Sequence, residues 1–244
     1  MKRVDEVWKQ EEQVRVFLEG IRGAIPFFED QLDVMMRLLQ GVPVRSFLDL
    51  GCGDGILARS VLSAYPGARG VLLDFSRPML DKARRGLEGT DASLDFLEAD
   101  LAGSGWPREV VEQGRESFDL VVSGYAIHHQ SEEIKKSIYQ SIYKLLNPGG
   151  LFINIDHVAS SDERTRDISN DFFIESLRAY HEAEGSPGDF EKVRGLFLAR
   201  MAEEAPVLST VSSQCRWLSE FGFVEVDCFF KVFELAVFGG RRPE

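Results

Sequence analysis

Short apolar runs alternate with amphipathic stretches through the middle of the chain. Residues 44–50 read as a strand that runs into glycines, and 56–62 as the opening of a helix. Residues 70–74 predict a second strand, followed by a helix over 79–87 entered through Ser76 and Pro78, a capping residue and an early-turn proline. Residues 94–100 alternate apolar and polar as a third strand does, and 118–124 predict a fourth. After Ser131, Ile134, Ile138, Ile142, Leu145 and Leu146 recur at helical spacing, until Asn147, Pro148, Gly149 and Gly150 stop the helix before a fifth strand over 151–156. Strand and helix alternating in this way demand a parallel sheet.

After Val158 the rhythm breaks. Residues 160–206 are charged and helical in pattern, with one apolar stripe at Phe172, Phe173, Leu177 and Tyr180 and another at Val193, Leu196, Phe197 and Leu198. Gly185, Ser186, Pro187 and Gly188 separate the stripes, which predicts an inserted pair of helices where a cap over a site would sit. The alternation resumes with a helix over 211–220 and two tightly joined, hence antiparallel, strands over 224–230 and 232–238. Residues 1–40 form an N-terminal helical segment with Trp8, Phe17, Phe27 and Phe28, which packs either over the site or on the sheet alone. Residues 1–244 together read as a single α/β domain without internal repeats.

Composition narrows the function classes. An apolar share of 44% in 244 residues supports one sizeable core. A net charge of -12 counts against DNA or bulky RNA as partner, since nucleic-acid affinity rests on basic residues. The pairs Arg84–Arg85, Lys135–Lys136 and Arg241–Arg242 read as solvated faces. No apolar run is long enough for a bilayer and none resembles a leader, so no membrane role and a cytoplasmic location are expected. The cysteines, Cys52, Cys215 and Cys228, show no C-x-x-C spacing, and Cys52 reads as a small packing residue under the glycine turn.

The turn itself, Asp49-Leu50-Gly51-Cys52-Gly53-Asp54-Gly55, has the spacing G-x-G-x-G. Dinucleotide sites use G-x-G-x-x-G with a bare helix N-terminus. Carboxylates at Asp49 and Asp54 would repel a pyrophosphate and favour a ligand with an ammonium and a sulfonium. Two further acids close strands: Asp74 the second and Asp100, before Leu101, the third. An acceptor-only carboxylate such as Asp74 suits the two hydroxyls of a ribose.

This run resembles the first motif of the class I S-adenosylmethionine (SAM) dependent methyltransferases. The resemblance implies a Rossmann-like, seven-stranded, mostly parallel sheet with an antiparallel C-terminal hairpin, helices on both faces and a helical cap over 160–206. It implies SAM as cofactor, held by Asp49, Gly51, Gly53 and Gly55, by Asp74 at the ribose, by Phe75 and Met79 around the adenine, and by Asp100 and the Leu101 amide at its edge. Ser123 and Gly124, closing the fourth strand, would lie near the methionine part. The Asn/Asp-Pro-Pro-Tyr/Phe motif of nucleic-acid amino methyltransferases is absent there. Ile127-His128-His129 looks instead like the quinone and other small-molecule methyltransferases, and implies a small-molecule acceptor. His128 or His129 has a reference pKa suited to deprotonating a hydroxyl, or else holds the turn. His157 stands at the pocket mouth and His181 reads as surface or lid; no metal-ligand spacing stands out. A homodimer is allowed.

A more distant similarity links the insertion, the following helix and the Phe-rich hairpin to the carboxy-SAM synthases of tRNA wobble-uridine modification. Those enzymes pair an arginine with the added carboxylate, and Arg216 stands near that place. A SAM-binding protein without transfer activity is a third reading, and Arg166, Arg178 and Arg194 are either anion ligands or surface.

Overall fold

In the computed structural model, which describes residues 4–114, 116–185, 190–204 and 207–244, the apolar runs pair into one seven-stranded sheet of order β3-β2-β1-β4-β5-β7-β6. The strands are β1 Ser46–Leu50, β2 Arg69–Asp74, β3 Leu94–Glu98, β4 Phe118–Gly124, β5 Leu146–His157, β6 Val224–Val232 and β7 Leu235–Arg241. The first five run parallel, and β7 pairs antiparallel with both β5 and β6. β1 and β4 are buried almost throughout, which is why they read as continuous apolar runs: helices cover both faces of a parallel sheet.

One face packs on α5 (Trp106–Glu112), α6 (Glu132–Leu145) and α9 (Val211–Glu220) through Trp106, Tyr139, Ile142, Trp217 and Leu218. The other packs on α2 (Phe28–Leu38), α3 (Ile56–Ala64) and α4 (Arg77–Gly86) through Met35, Leu57, Val61 and Leu80. Ser76 and Ser131 cap α4 and α6 as their positions predict, each accepting the amide three residues on.

Several features depart from the sequence reading. α5 is additional, entered through Pro107. β5 starts earlier: Leu146 already pairs with Phe118, and residues 147–150 bulge out before Leu151 meets Leu120, so the Asn-Pro-Gly-Gly run interrupts a strand as well as ending a helix. Lys135, read as solvated, is fully buried, its ammonium donating to the Val207 carbonyl and the Ser209 hydroxyl.

The cap is α7 (Glu163–Ala183) and α8 (Phe190–Glu204). It meets the N-terminal segment, which contains α1 (Glu11–Val16), in a satellite core of Ala24, Leu177, Val193 and Phe197, with Phe173 stacked on Phe197 at 4.4 Å. Phe172 leaves the predicted stripe and packs on Phe27 and Phe233, and Leu196 is exposed. Of the turn predicted between the two helices, residues 186–188 lie outside the described residues.

Candidate active site

The strand order reverses between β1 and β4, and open α/β sheets take ligands in the crevice at such a switch point. A pocket occupies it. The turn after β1 forms its floor, the ends of β2 to β5 its sides, and the N-terminal segment with α7 and α8 its roof.

Asp49, near the end of β1, is wholly buried. Its Oδ2 accepts the Ala58 amide of α3 at 3.1 Å, while Oδ1 has no partner among the described residues. Burial pushes this carboxyl up to about 8 against the Ala58 hydrogen bond, with the charges of Asp74 and Asp54 adding to the rise. Gly51 turns the chain at φ 66°, and a Cβ there would lie 2.2 Å from the Ala126 Cβ, so only glycine lets the first turn pack on the segment after β4.

Asp74 holds the first two turns together. Its oxygens accept the Gly53 and Ser76 amides, each at 2.8 Å. Burial pushes its carboxyl up to about 6 against those bonds. Phe75, Met79, Asp100 and Leu101 line the pocket beyond it, and Asp100 accepts the Ala102 amide at 2.9 Å. Two predicted site residues stand apart from the lining. Gly55 caps α3 and faces Ala83 of α4 and Leu87 just after it, and the Ser123 hydroxyl donates to the Leu50 carbonyl at 2.8 Å, locking β4 to β1. Gly124 does line the pocket. Asp54 also departs from expectation: its carboxylate is taken by Arg22 and by Arg59, the latter at 3.2 Å, so it does not present an open negative charge.

The orphaned oxygen of Asp49 suits a cationic donor, Asp74 is acceptor-only, and the apolar slot of Phe75, Met79 and Leu101 suits a flat base. This set of donors, acceptors and apolar side chains fits SAM.

The two adjacent histidines have different surroundings. Both lie on the turn Ile127–His129 after β4. His128 Nδ1 is 2.6 Å from Asp156 Oδ1, and Asp156 also accepts the His157 amide and the Asn154 side chain, each at 3.0 Å. A carboxylate only accepts, so with Asp156 ionised Nδ1 carries the proton and Nε2 of a neutral His128 is its basic nitrogen. His129 Nε2 instead accepts from Trp8 at 3.3 Å and Arg200 at 3.2 Å, with the Arg200 guanidinium 4.2 Å over the Trp8 ring. His129 thereby joins the N-terminal segment to α8.

His157 lines the pocket too, its Nε2 3.1 Å from Glu234 Oε2. Burial opposes the charge of Glu234, but hydrogen bonds from His157 and Ser160 outweigh it and hold the carboxyl below its usual range. His181, read as surface or lid, is buried and bonds the Gly20 carbonyl at 3.2 Å. Cys52 packs in the core under the turn, and burial drives its thiol well up, which removes a nucleophile there. Arg216 lies on the outer side of α9 beside Glu220 at 3.8 Å, away from the pocket. Arg166, Arg178 and Arg194 each pair with a glutamate on their own helix. No metal-ligand cluster occurs among the described residues, and no described helix is long and apolar enough to cross a membrane.

Sequence reasoning missed Asp156, Glu234, Arg22 and Arg200; of its two placements for the segment of Trp8 and Phe17, the one over the pocket is found. Asp156 closes the fifth strand as Asp74 and Asp100 close theirs, and that position was a usable signal. The others come from distant segments and carried none.

The chain matches a family model described as a methyltransferase domain over residues 47–150. It is 25% identical over 231 residues to a carboxy-S-adenosyl-L-methionine synthase of Aeromonas hydrophila, covering 91% of this chain and 85% of that one. It is 28% identical over 120 residues to a ubiquinone biosynthesis O-methyltransferase of Vibrio atlanticus, covering 49% and 46%. Human N-acetylserotonin methyltransferase in complex with SAM shares the fold at a TM-score of 0.61 and 17% identity; the match covers 100% of this chain and 61% of that one. The chain thus spans about three fifths of the length of such solved structures.

Proposed function

We propose that the chain, which matches a methyltransferase domain over residues 47–150, is a class I SAM-dependent methyltransferase that moves a methyl group from SAM to a hydroxyl of a small, largely apolar molecule. The observation that carries this reading is the His128–Asp156 pair, with His128 on the pocket wall and Asp156 buried outside the lining. SAM supplies an electrophilic methyl on a sulfonium, which needs no acid catalysis. The chain then has three tasks: to line up the acceptor oxygen, to exclude water and to receive the hydroxyl proton. His128 Nε2 receives the proton, and Asp156 steadies the imidazolium that forms. Phe17, Ile21, Phe173 and Phe197 line the roof, which suits an apolar acceptor body. The products are a methyl ether and S-adenosylhomocysteine.

The test is a panel of phenols, enols and aliphatic alcohols incubated with protein and SAM. Equimolar methyl ether and S-adenosylhomocysteine support the reading. Methylation confined to amines or thiols overturns the hydroxyl assignment.

A second reading, carboxy-SAM formation, is favoured by the near full-length similarity to the Aeromonas hydrophila synthase. The placement of Arg216 removes the arginine that reading relied on. A cofactor recovered from the purified protein with a mass larger by one carboxylate would restore it.

A further inference from the structure

A second cavity, of about 310 Å³, lies behind the first. His157, Asn170, Met201 and Glu234 line both, so the two adjoin across the His157–Glu234 pair. The His157 ring is 5.7 Å from that of His128, centroid to centroid, which sets this annexe one ring away from the base. Leu198, Ala202 and Leu208 make much of its wall apolar. Its polar side is Arg166 and Asn170, one helical turn apart on the same face of α7. Arg166 pairs with Glu163 at 3.2 Å, but that glutamate is largely solvent-exposed, and surface pairs of this kind hold little energy. Glu234 does not neutralise Arg166 either. Its Oε1 accepts the Ser160 amide at 2.9 Å and its Oε2 meets His157 at 3.1 Å. The Asn170 side-chain amide has no hydrogen-bond partner among the described residues. A guanidinium with donors to spare, an amide beside it and an apolar wall opposite are the complement of a carboxylate on an apolar stem.

We propose that the annexe is a subsite for an acidic group of the acceptor, and that Arg166 and Asn170 bind its carboxylate. The inference rests on methyl transfer to a hydroxyl beside His128. It narrows the acceptor to a hydroxy acid whose two polar ends stand on either side of an apolar body. The hydroxyl meets His128, the body lies under Phe173 and Phe197, and the carboxylate passes His157 into the annexe. An uncharged analogue forgoes the charge-assisted bonds, so the annexe selects acids over their esters.

The test pairs para-hydroxybenzoate, para-hydroxyphenylacetate and para-hydroxycinnamate with their methyl esters, which keep the hydroxyl and the ring and lose the charge. Binding to the full chain saturated with S-adenosylhomocysteine is measured by calorimetry, and turnover with SAM by release of S-adenosylhomocysteine. At least one acid should bind about tenfold or more tightly than its ester. In Arg166→Gln that preference should shrink to about twofold, and a methylated acid should lose kcat/KM mainly through KM. Arg166 is partly exposed, and thermal melting confirms that the variant folds. Arg166→Lys should restore part of the preference. Arg178→Gln, on the same helix but outside both cavities, should retain it. Esters bound as tightly as acids, a preference that persists in Arg166→Gln, or no binding of any acid overturns the subsite. Arg166-dependent binding of an acid without methyl transfer supports the subsite and counts instead against the hydroxyl reading.

Discussion

His128 Nδ1 lies 2.6 Å from Oδ1 of Asp156, and both side chains are almost fully buried. The bond decides which imidazole nitrogen can accept a proton, and the Asn154 and His157 contacts fix the carboxylate that makes it. Once an acceptor is found, His128→Asn should lower kcat by about a hundredfold to ten-thousandfold, the range for losing a general base. Asp156→Asn should lower it less and shift the acidic limb of the pH–rate profile. SAM affinity should stay within about threefold in both. A parallel loss of SAM affinity would mark the pair as scaffold.

Asp74 should dominate cofactor affinity. Removing a buried acceptor of two ribose hydroxyls costs about 2 kcal/mol or more, near thirtyfold in Kd. Asp74→Ala also releases the Gly53 and Ser76 amides, so the thermal midpoint should fall as well. Calorimetry with SAM checks the first effect and melting the second. Unchanged SAM affinity would remove Asp74 from the ribose site.

The contact of Trp8, His129 and Arg200 closes the pocket from two sides. Arg200 donates to His129 and lies over Trp8, so one side chain links α8 to the N-terminal segment. Arg200→Met keeps much of the apolar stem but removes the donor and the cation over the ring. SAM should dissociate several times faster from the variant, and α8 amides should exchange hydrogen sooner. The amides of β1 and β4 should be unaffected, since the sheet core does not depend on this contact. Stopped-flow displacement and hydrogen exchange report these separately, and unchanged dissociation would mean that SAM leaves by a path this contact does not guard.

The strand ends were legible because a buried parallel strand is an apolar run whose polar terminus stands out. Asp49, Asp74 and Asp100 could be read in this way. The roof was not. Trp8 reaches His129 across 121 positions and Arg22 reaches Asp54 across 32, and no local period encodes either contact. Lys135 misled because a lysine pair on an amphipathic helix is normally solvated, whereas the return of the chain after the cap covers this one with Val207 and Ser209. The Gly55 and Ser123 positions were correctly linked to the first and fourth strands, but motif spacing does not separate residues that touch a ligand from those that hold the turn.

Asp49 predicts a proton signature for binding. Held up to about 8, its carboxyl is mostly protonated at pH 7 in the free protein. An ammonium against Oδ1 favours the ionised form, so SAM binding should release up to one proton near neutrality. Affinity should therefore rise as pH increases from about 6 to about 8, above which the α-amino group of the ligand begins to lose its own charge. Stability of the free protein moves the other way. Its folded carboxyl sits above the unfolded value near 4, so the native state holds the extra proton between about 4 and 8. The stability contributed by that proton is complete below about 4 and is lost as pH rises through about 8; Asp74, at about 6, adds a smaller loss over the lower part of that window. Calorimetry in two buffers of different ionisation enthalpy counts the released protons directly. Asp49→Asn preserves the shape and the buried polar group but cannot ionise, so it should abolish the release, flatten the pH dependence of affinity and weaken SAM binding. Proton release that survives the substitution would have to come from another group, and Asp49 would lose its assignment as the ammonium ligand.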